Sequence, residues 1–333
     1  MFFEAQKLES LGIKSALVTV VDLDGSSYRR PGVRMLVGAN GSITGAVSGG
    51  CVEKEIQRQA QEVFASGQAL LMIYDGRYRL GCEGILYLLI EPIMQASTLA
   101  QEFDQDFMAR NPIAMQSNYQ KEAGLNPEMG TQITFSSGKQ LRVSSKTKQA
   151  TAKTGLLTYN QELPPAIQLL IIGSEHDAVA LCANAAQIGM SVTVVAPPDD
   201  PKTLAHFPGA LSYLGIAAED LAQFKCDSRT AVLIMTHSFS KDLRYLGNLA
   251  QQETGYIGLL GPKKRREQLL NDLLEHYPET SLAFIESLYG PAGINIGAES
   301  AQEIAVSILA EILAVLRGQQ PGSLKNKTTG IHD

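Results

Sequence analysis

Two adjacent arginines on a loop of glycine and serine suit the binding of an anion. The run Gly25-Ser26-Ser27-Tyr28-Arg29-Arg30-Pro31-Gly32 sets two planar, permanently charged donors beside two hydroxyls. Gly25, Pro31 and Gly32 shape a turn and let a ligand approach the backbone. Further on, Ser48-Gly49-Gly50-Cys51-Val52-Glu53 has the form of an amide nest opening a helix, where an anion is favoured and a thiolate stabilised. Glu53, in the first turn, suits the helix dipole but opposes a second anion. Gly81-Cys82-Glu83-Gly84 holds another thiol in a glycine-flanked turn. Each segment also has a plain structural reading. The arginines suit a solvated turn, Cys51 a buried inert thiol, and Cys82 a thiol packed beneath its turn.

A third constellation lies in the second half. Ile171-Ile172-Gly173-Ser174-Glu175-His176-Asp177-Ala178 stands between a strand and a helix, where a dinucleotide fingerprint would lie. Glu175 replaces the second glycine of that fingerprint, and a carboxylate there repels pyrophosphate. The next strand ends at Ala196, where a ribose-binding acid would stand, with Pro197, Pro198, Asp199 and Asp200 beyond. Both features argue against NAD(P), and Asp177 reads instead as a helix N-cap. Thr236-His237 closes another strand on the edge where α/β proteins bind ligands, although a lone histidine also suits a structural role. Gly261-Pro262-Lys263-Lys264-Arg265-Arg266 starts a helix with positive charge. A nearby anion would offset that charge, and a solvated basic face accounts for it equally.

The chain that must position these residues has 333 of them, too many for one ordinary core. Two domains are expected, over 1–163 and 164–320 with a tail at 321–333, and Pro164-Pro165 marks the boundary. A net charge of −6 gives no reason to expect nucleic acid or an anionic membrane as partner. Apolar runs such as Leu169-Leu170-Ile171-Ile172 are too short to span a bilayer. The N-terminus lacks a basic region followed by an apolar stretch, so a cytoplasmic protein is expected. Four cysteines, at 51, 82, 182 and 226, form no CxxC pair, and the five histidines show no metal-binding spacing. Free thiols are therefore expected, and no metal held directly by the protein.

Periodicity predicts the elements. Strands are expected over 15–21, 70–74 and 85–91, with a hairpin of 34–37 and 42–47 turning at Asn40-Gly41. Helices are expected over 52–65, ended by Gly67, and over 96–110. Short strand-like pieces fill 112–160, with a polar, mobile loop at 144–153. From 167 the pattern alternates, with strands at 167–172, 191–196, 231–235, 256–260 and 281–285 and helices between them, which argues for a parallel, doubly wound sheet. A last helix over 301–317 carries apolar residues on more than one stripe and is expected to be buried against two surfaces.

Together these residues resemble the XdhC/CoxI family of xanthine dehydrogenase accessory proteins. The match runs through residues 25–37 and 45–53, through Ile257-Gly258-Leu259-Leu260-Gly261-Pro262-Lys263-Lys264-Arg265, and through Gly290-Pro291-Ala292-Gly293-Ile294-Asn295-Ile296-Gly297-Ala298-Glu299 into the final helix. The resemblance implies an α/β protein, with an N-terminal α+β XdhC/CoxI domain followed by a Rossmann-like doubly wound parallel-sheet domain. It also implies an accessory factor rather than a catalyst. Such a factor transiently binds molybdenum cofactor (molybdopterin), assists its sulfuration and delivers it to a molybdenum hydroxylase apo-enzyme such as xanthine dehydrogenase. A cysteine desulfurase and a second copy of the chain are the further partners implied. On this reading Ser26, Ser27, Tyr28, Arg29, Arg30, Ser48, Gly49, Gly50 and Glu53 line the cofactor, with Cys51 and then Cys82 as sulfur or metal contacts. Gly173, Ser174, His176, Asp177, His237 and Lys263 form a weaker set in the Rossmann half.

Three departures stand out. Glu83 interrupts the family's usual Cys-Gly-Gly run after Cys82, the Rossmann turn lacks its glycine, and the family's proline before the last helix is absent at Ser300-Ala301-Gln302. An NAD(P)-dependent oxidoreductase is the alternative, and a scaffold binding neither ligand is a third reading. The altered turn argues against the former, and the intact Arg-Arg and Ser-Gly-Gly-Cys segments against the latter.

Overall fold

A computed structural model of the chain describes residues 1–25, 29–48, 50, 52–77, 84–144 and 155–328. It divides into two compact units, Met1–Pro165 and Ala166–Asp333. The loop expected at 144–153 falls almost wholly outside the described residues.

The first unit runs α1 (Phe2–Ser10), β1 (Ser15–Asp24), β2 (Arg34–Gly38), β3 (Ile43–Gly45), α2 (Glu53–Ser66), β4 (Leu70–Asp75), β5 (Ile85–Pro92), α3 (Ala96–Ala109), β6 (Ile113–Tyr119), β7 (Gly124–Leu125), β8 (Gly130–Thr134), β9 (Gln140–Arg142) and β10 (Leu157–Leu163). Two antiparallel sheets result, in the orders β3-β2-β1-β5-β4-β7 and β10-β6-β8-β9. Strand β1 is apolar on both faces because both are covered. Ala16, Val18 and Val20 pack with Ile56, Ala60 and Val63 of α2. Leu17, on the other face, joins a cluster with Leu99, Met115 and Ile133, and Val21 one with Tyr119 and Met129. The Asn40-Gly41 turn joins β2 and β3 as expected, with Gly41 at φ +85°. Gly67 closes α2 in the left-handed conformation.

The second unit runs β11 (Gln168–Ile172), α4 (His176–Gln187), β12 (Ser191–Ala196), β13 (Ser212–Gly215), β14 (Thr230–Ile234), α5 (Phe239–Leu249), β15 (Tyr256–Leu259), α6 (Lys263–His276), α7 (Leu282–Glu286), β16 (Leu288–Tyr289) and α8 (Ala301–Leu316). The strands lie parallel in the order β13-β12-β11-β14-β15-β16, the 3-2-1-4-5-6 order of dinucleotide-binding folds. Residues of α4 and α8 pack with one face of the sheet, and residues of α5 and α6 with the other. The strand order reverses between β11 and β14, the position where such sheets open a crevice.

Two expectations change. A helix over 282–286, with Ser281 as its N-cap, stands where a strand over 281–285 is expected. Ser281 Oγ accepts from the Phe284 amide at 3.1 Å, and the turn buries Phe284 while leaving Leu282 72% exposed. The sixth strand is the shorter β16, two residues further on. Helix α8 has one well-buried face, of Ala305, Ile308, Leu309 and Ile312, and Val306 is exposed. In place of the absent proline, Ser300 and Glu303 form a reciprocal capping box that satisfies the first amides of α8.

Candidate functional site

The loop carrying Arg29 and Arg30 is held at both ends. On the near side, Lys121 Nζ lies 3.0 Å from Asp22 Oδ2 and 3.0 Å from Asp24 Oδ1 at the end of β1. Tyr119 OH donates to Asp22 at 2.8 Å and Tyr87 OH to Asp24 at 2.7 Å. Burial raises the Asp22 carboxyl, but the bonds from Lys121 and Tyr119 outweigh it and hold it below its ordinary range. The Tyr87 and Lys121 bonds do the same for Asp24, and Tyr119 is pushed up to about 12 by burial and its bond to Asp22. Both carboxylates are thus ionised around one ammonium.

On the far side the backbone closes back onto β1. Gly32 N–H donates to the Val20 carbonyl at 2.8 Å, and Val20 N–H to that of Val33 at 3.0 Å. Gly32 has φ +96°, and a Cβ there would lie 2.5 Å from Tyr159 OH and Gln161 Nε2, so only glycine fits. Arg34, 9% exposed, donates from Nη1 to the Gly32 carbonyl at 3.1 Å and to Gln161 Oε1 of β10. Arg29 and Arg30 themselves are exposed.

Glu91, fully buried on β5, balances Arg34. Its carboxylate accepts from the Thr131 amide at 2.8 Å and from the Thr131 hydroxyl. Burial lowers the Arg34 pKa and the Glu91 charge opposes that shift. Burial also pushes Glu91 up to about 7, against the Thr131 bonds and the Arg34 charge.

In the Ser48–Glu53 segment, the described amides of Ser48, Gly50 and Val52 are bonded within the loop. Glu53 reaches back to accept from Ser48 N–H at 2.9 Å and from Ser48 Oγ at 2.6 Å. Ser48 Oγ in turn accepts from Gly50 N–H at 3.1 Å and Val52 N–H at 3.4 Å. Burial raises Glu53, and the Ser48 hydroxyl and backbone amides more than offset it, so the carboxylate stays ionised at the helix start. Ser26, Ser27, Tyr28, Gly49, Cys51 and Cys82 lie outside the described residues. Cys182 is buried, bonded to the Pro208 carbonyl and pushed up to about 11 by burial, which makes it a core thiol.

In the second unit, Gly173 has φ +133° and no room for a Cβ, which would meet the Met235 carbonyl at 2.5 Å. Next to it the turn is occupied by the chain itself. Ser174 Oγ donates to Asp200 at 2.5 Å, and Lys202 Nζ donates to the Ser174 carbonyl at 2.7 Å and lies 3.4 Å from Glu175. The N-cap of α4 is Glu175, not Asp177. Asp177 lies in the first turn of α4, its carboxylate 3.9 Å from His237 Nε2. His176 is exposed, and Lys263 is exposed with Glu267 at 3.8 Å. Among the described residues no group of three or more His, Cys, Asp or Glu could hold a metal, and no helix is long and apolar enough to cross a membrane.

Sequence reasoning passed over Lys121, Asp22, Asp24 and Gln161. Asp-x-Asp immediately before Gly25 was the available signal for the acidic pair. Nothing local pointed to Gln161, which lies 127 residues from its partner Arg34.

Comparison with known proteins places this pair of domains. Residues 169–312 match the family model described as the XdhC Rossmann domain, so the second unit is a Rossmann domain of that type. Residues 10–75, which contain the arginine loop and α2, match the model described as the XdhC and CoxI family, and the chain belongs to that family. It is 28% identical over 314 residues to a probable xanthine dehydrogenase subunit of Bacillus subtilis strain 168, covering 90% of this chain and 92% of that protein. It is 25% identical over 315 residues to the molybdenum cofactor insertion chaperone PaoD of Escherichia coli K12, covering 94% and 86%. The fold is shared with a crystal structure of a Bacillus halodurans protein described as a xanthine dehydrogenase (TM-score 0.79, 23% identity, 98% of each chain).

The Arg34–Glu91 cluster has a pH signature. With its carboxyl near 7 when folded and an ordinary value of 4.5, Glu91 makes the native chain bind more protons than the unfolded one between those values. Its contribution to stability is complete below about pH 4.5 and is lost as pH climbs to about 7. Glu91→Gln does not titrate. In urea unfolding, the variant's stability relative to wild type is expected to rise across that interval and level off above it. A difference that stays flat with pH contradicts this.

Proposed function

We propose that the chain binds molybdenum cofactor, assists its sulfuration and hands it to the apo form of a molybdenum hydroxylase. The observation that carries this reading is the clamped arginine loop, fixed at Asp22–Lys121–Asp24 and again at Gly32–Arg34. A phosphate needs multiple donors held in place, and side chains on an anchored turn lose less entropy on meeting it than those on a loose one. Arg29, Arg30, Ser26, Ser27 and Tyr28 would take the phosphate of the pterin. Cys51, followed by Cys82, would meet its metal and sulfur. The Glu53 carboxylate, bonded to Ser48, would oppose a second anion at the start of α2. Sulfur would come from a cysteine desulfurase, and the working form would be a homodimer. The similarity to a cofactor insertion chaperone over most of both chains supports the same role.

The protein purified anaerobically from cells that make the cofactor is expected to carry molybdenum and pterin together. Arg29→Ala/Arg30→Ala is expected to lose most of both, and Cys51→Ser to retain less than wild type. Wild-type protein free of molybdenum and pterin would sink the proposal. Retention unchanged in Cys51→Ser would remove that thiol from the mechanism.

An NAD(P)-dependent oxidoreductase remains the second reading because of the strand order of the parallel sheet. Glu175, and the Ser174–Asp200–Lys202 bonds across the turn, weigh against it. Calorimetric titration with NADH is expected to show no binding in the micromolar range, and a micromolar dissociation constant would favour the oxidoreductase.

A further inference from the structure

The cavity at the carboxyl edge of the parallel sheet has chemistry that cofactor handling leaves unused. It encloses about 220 Å³ and is lined by Met235, His237, Leu260, Gly261, Pro262 and Arg265, from the ends of β14 and β15 and the first turn of α6. Three of these are apolar walls. The other chemistry is one imidazole and one guanidinium.

The guanidinium is held from behind. Asp242 of α5, 2% exposed, accepts from Thr236 N–H at 3.1 Å and Thr236 Oγ at 2.5 Å. Arg265 Nη2 donates to the other carboxylate oxygen of Asp242 at 2.7 Å, and the guanidinium lies 5.8 Å from the Phe239 ring centre. A Cβ on Gly261 would press on Arg265 Cδ at 2.8 Å, so glycine there leaves the side chain its path along the cavity. One donor of the five is committed to Asp242, which neutralises that buried carboxylate and orients the fork. His237 also lines the cavity, at φ +57°, its side chain 53% exposed and Nε2 3.9 Å from Asp177.

We propose that this cavity binds the phosphate of a small phosphomonoester. A fixed guanidinium and an imidazole on separate elements both line the cavity and suit a multiply charged group, and Met235, Leu260 and Pro262 accept a small carbon skeleton. Lys263 and Lys264, exposed in the first turn of α6, add positive potential at the mouth. The volume suits a small ligand, since pockets for ligands of drug size span ~300–1,000 Å³. The glycine turn on the β11 side is also closed by Ser174, Asp200 and Lys202. The inference concerns the second unit alone and stands whether or not the first unit holds molybdenum cofactor.

The test uses the full chain carrying Arg29→Ala/Arg30→Ala, which silences the other anion loop, titrated calorimetrically with inorganic phosphate and with glycerol 3-phosphate. Both are expected to bind, the ester more tightly. Arg265→Met is expected to weaken binding by about tenfold or more and His237→Gln by at least about fivefold. His237 is largely solvent-exposed, so its variant decides the matter if Arg265→Met fails to fold. Absence of saturable binding in this background, or affinity unchanged by His237→Gln, overturns the proposal. Molybdenum and pterin content, read separately, reports on the cofactor role.

Discussion

Arg34 joins the two sheets of the first unit and holds the loop that precedes it. One guanidinium bonds the Gly32 carbonyl at the foot of the arginine loop and Gln161 on the edge strand β10 of the second sheet. It does so while buried, facing the charge of a fully buried Glu91. Truncating Arg34 would leave the Gly32 carbonyl and Gln161 without these bonds in a buried setting. The constraint is therefore strict. Strand β2 must enter the sheet at this register, Gly32 must lack a side chain, and Arg29 and Arg30 must sit a few residues before the anchored point. With Lys121 between Asp22 and Asp24 at the other end, the loop is strung between two charged clamps. With its ends fixed, the loop has less entropy to lose on meeting an anion.

The second unit has the strand order of a nucleotide-binding domain and internal bonds at its glycine turn. The strand order and the glycine at 173 remain, the latter because a side chain would strike the Met235 carbonyl. Beside it, Ser174, Asp200 and Lys202 bond to one another across the turn. A cavity lies on the β14–β15 side, where Arg265 is fixed by the buried Asp242.

Local order was legible in the sequence where it depends on neighbours. The Asn40-Gly41 hairpin, the helix closed by Gly67 and the alternation behind the parallel sheet follow from turn chemistry and periodicity. Residues 281–285 were misread because a five-residue apolar run has no period long enough to separate strand from helix, and the capping by Ser281 decided it. The edge strand Ser212–Gly215 was passed over for the same shortness. In the candidate site, the arginines were legible as charges, but the clamps that hold them were not. Lys121 lies 97 residues from Asp24, and Gln161 is farther still from Arg34. Glu53 was read as a dipole partner, whereas its reach back to Ser48 depends on how Gly50, at φ +114°, turns the chain.

The central claim is that the clamped arginine loop carries cofactor to another protein, and a transfer assay tests it most directly. Cofactor-loaded protein would be mixed with a cofactor-free molybdenum hydroxylase, and hydroxylase activity followed alongside the molybdenum transferred. Activity that appears in proportion to the molybdenum lost by the wild-type chain, and fails to appear with the Arg29→Ala/Arg30→Ala chain, is the expected result. A hydroxylase that is activated by isolated cofactor but gains nothing from the loaded chain would contradict the account.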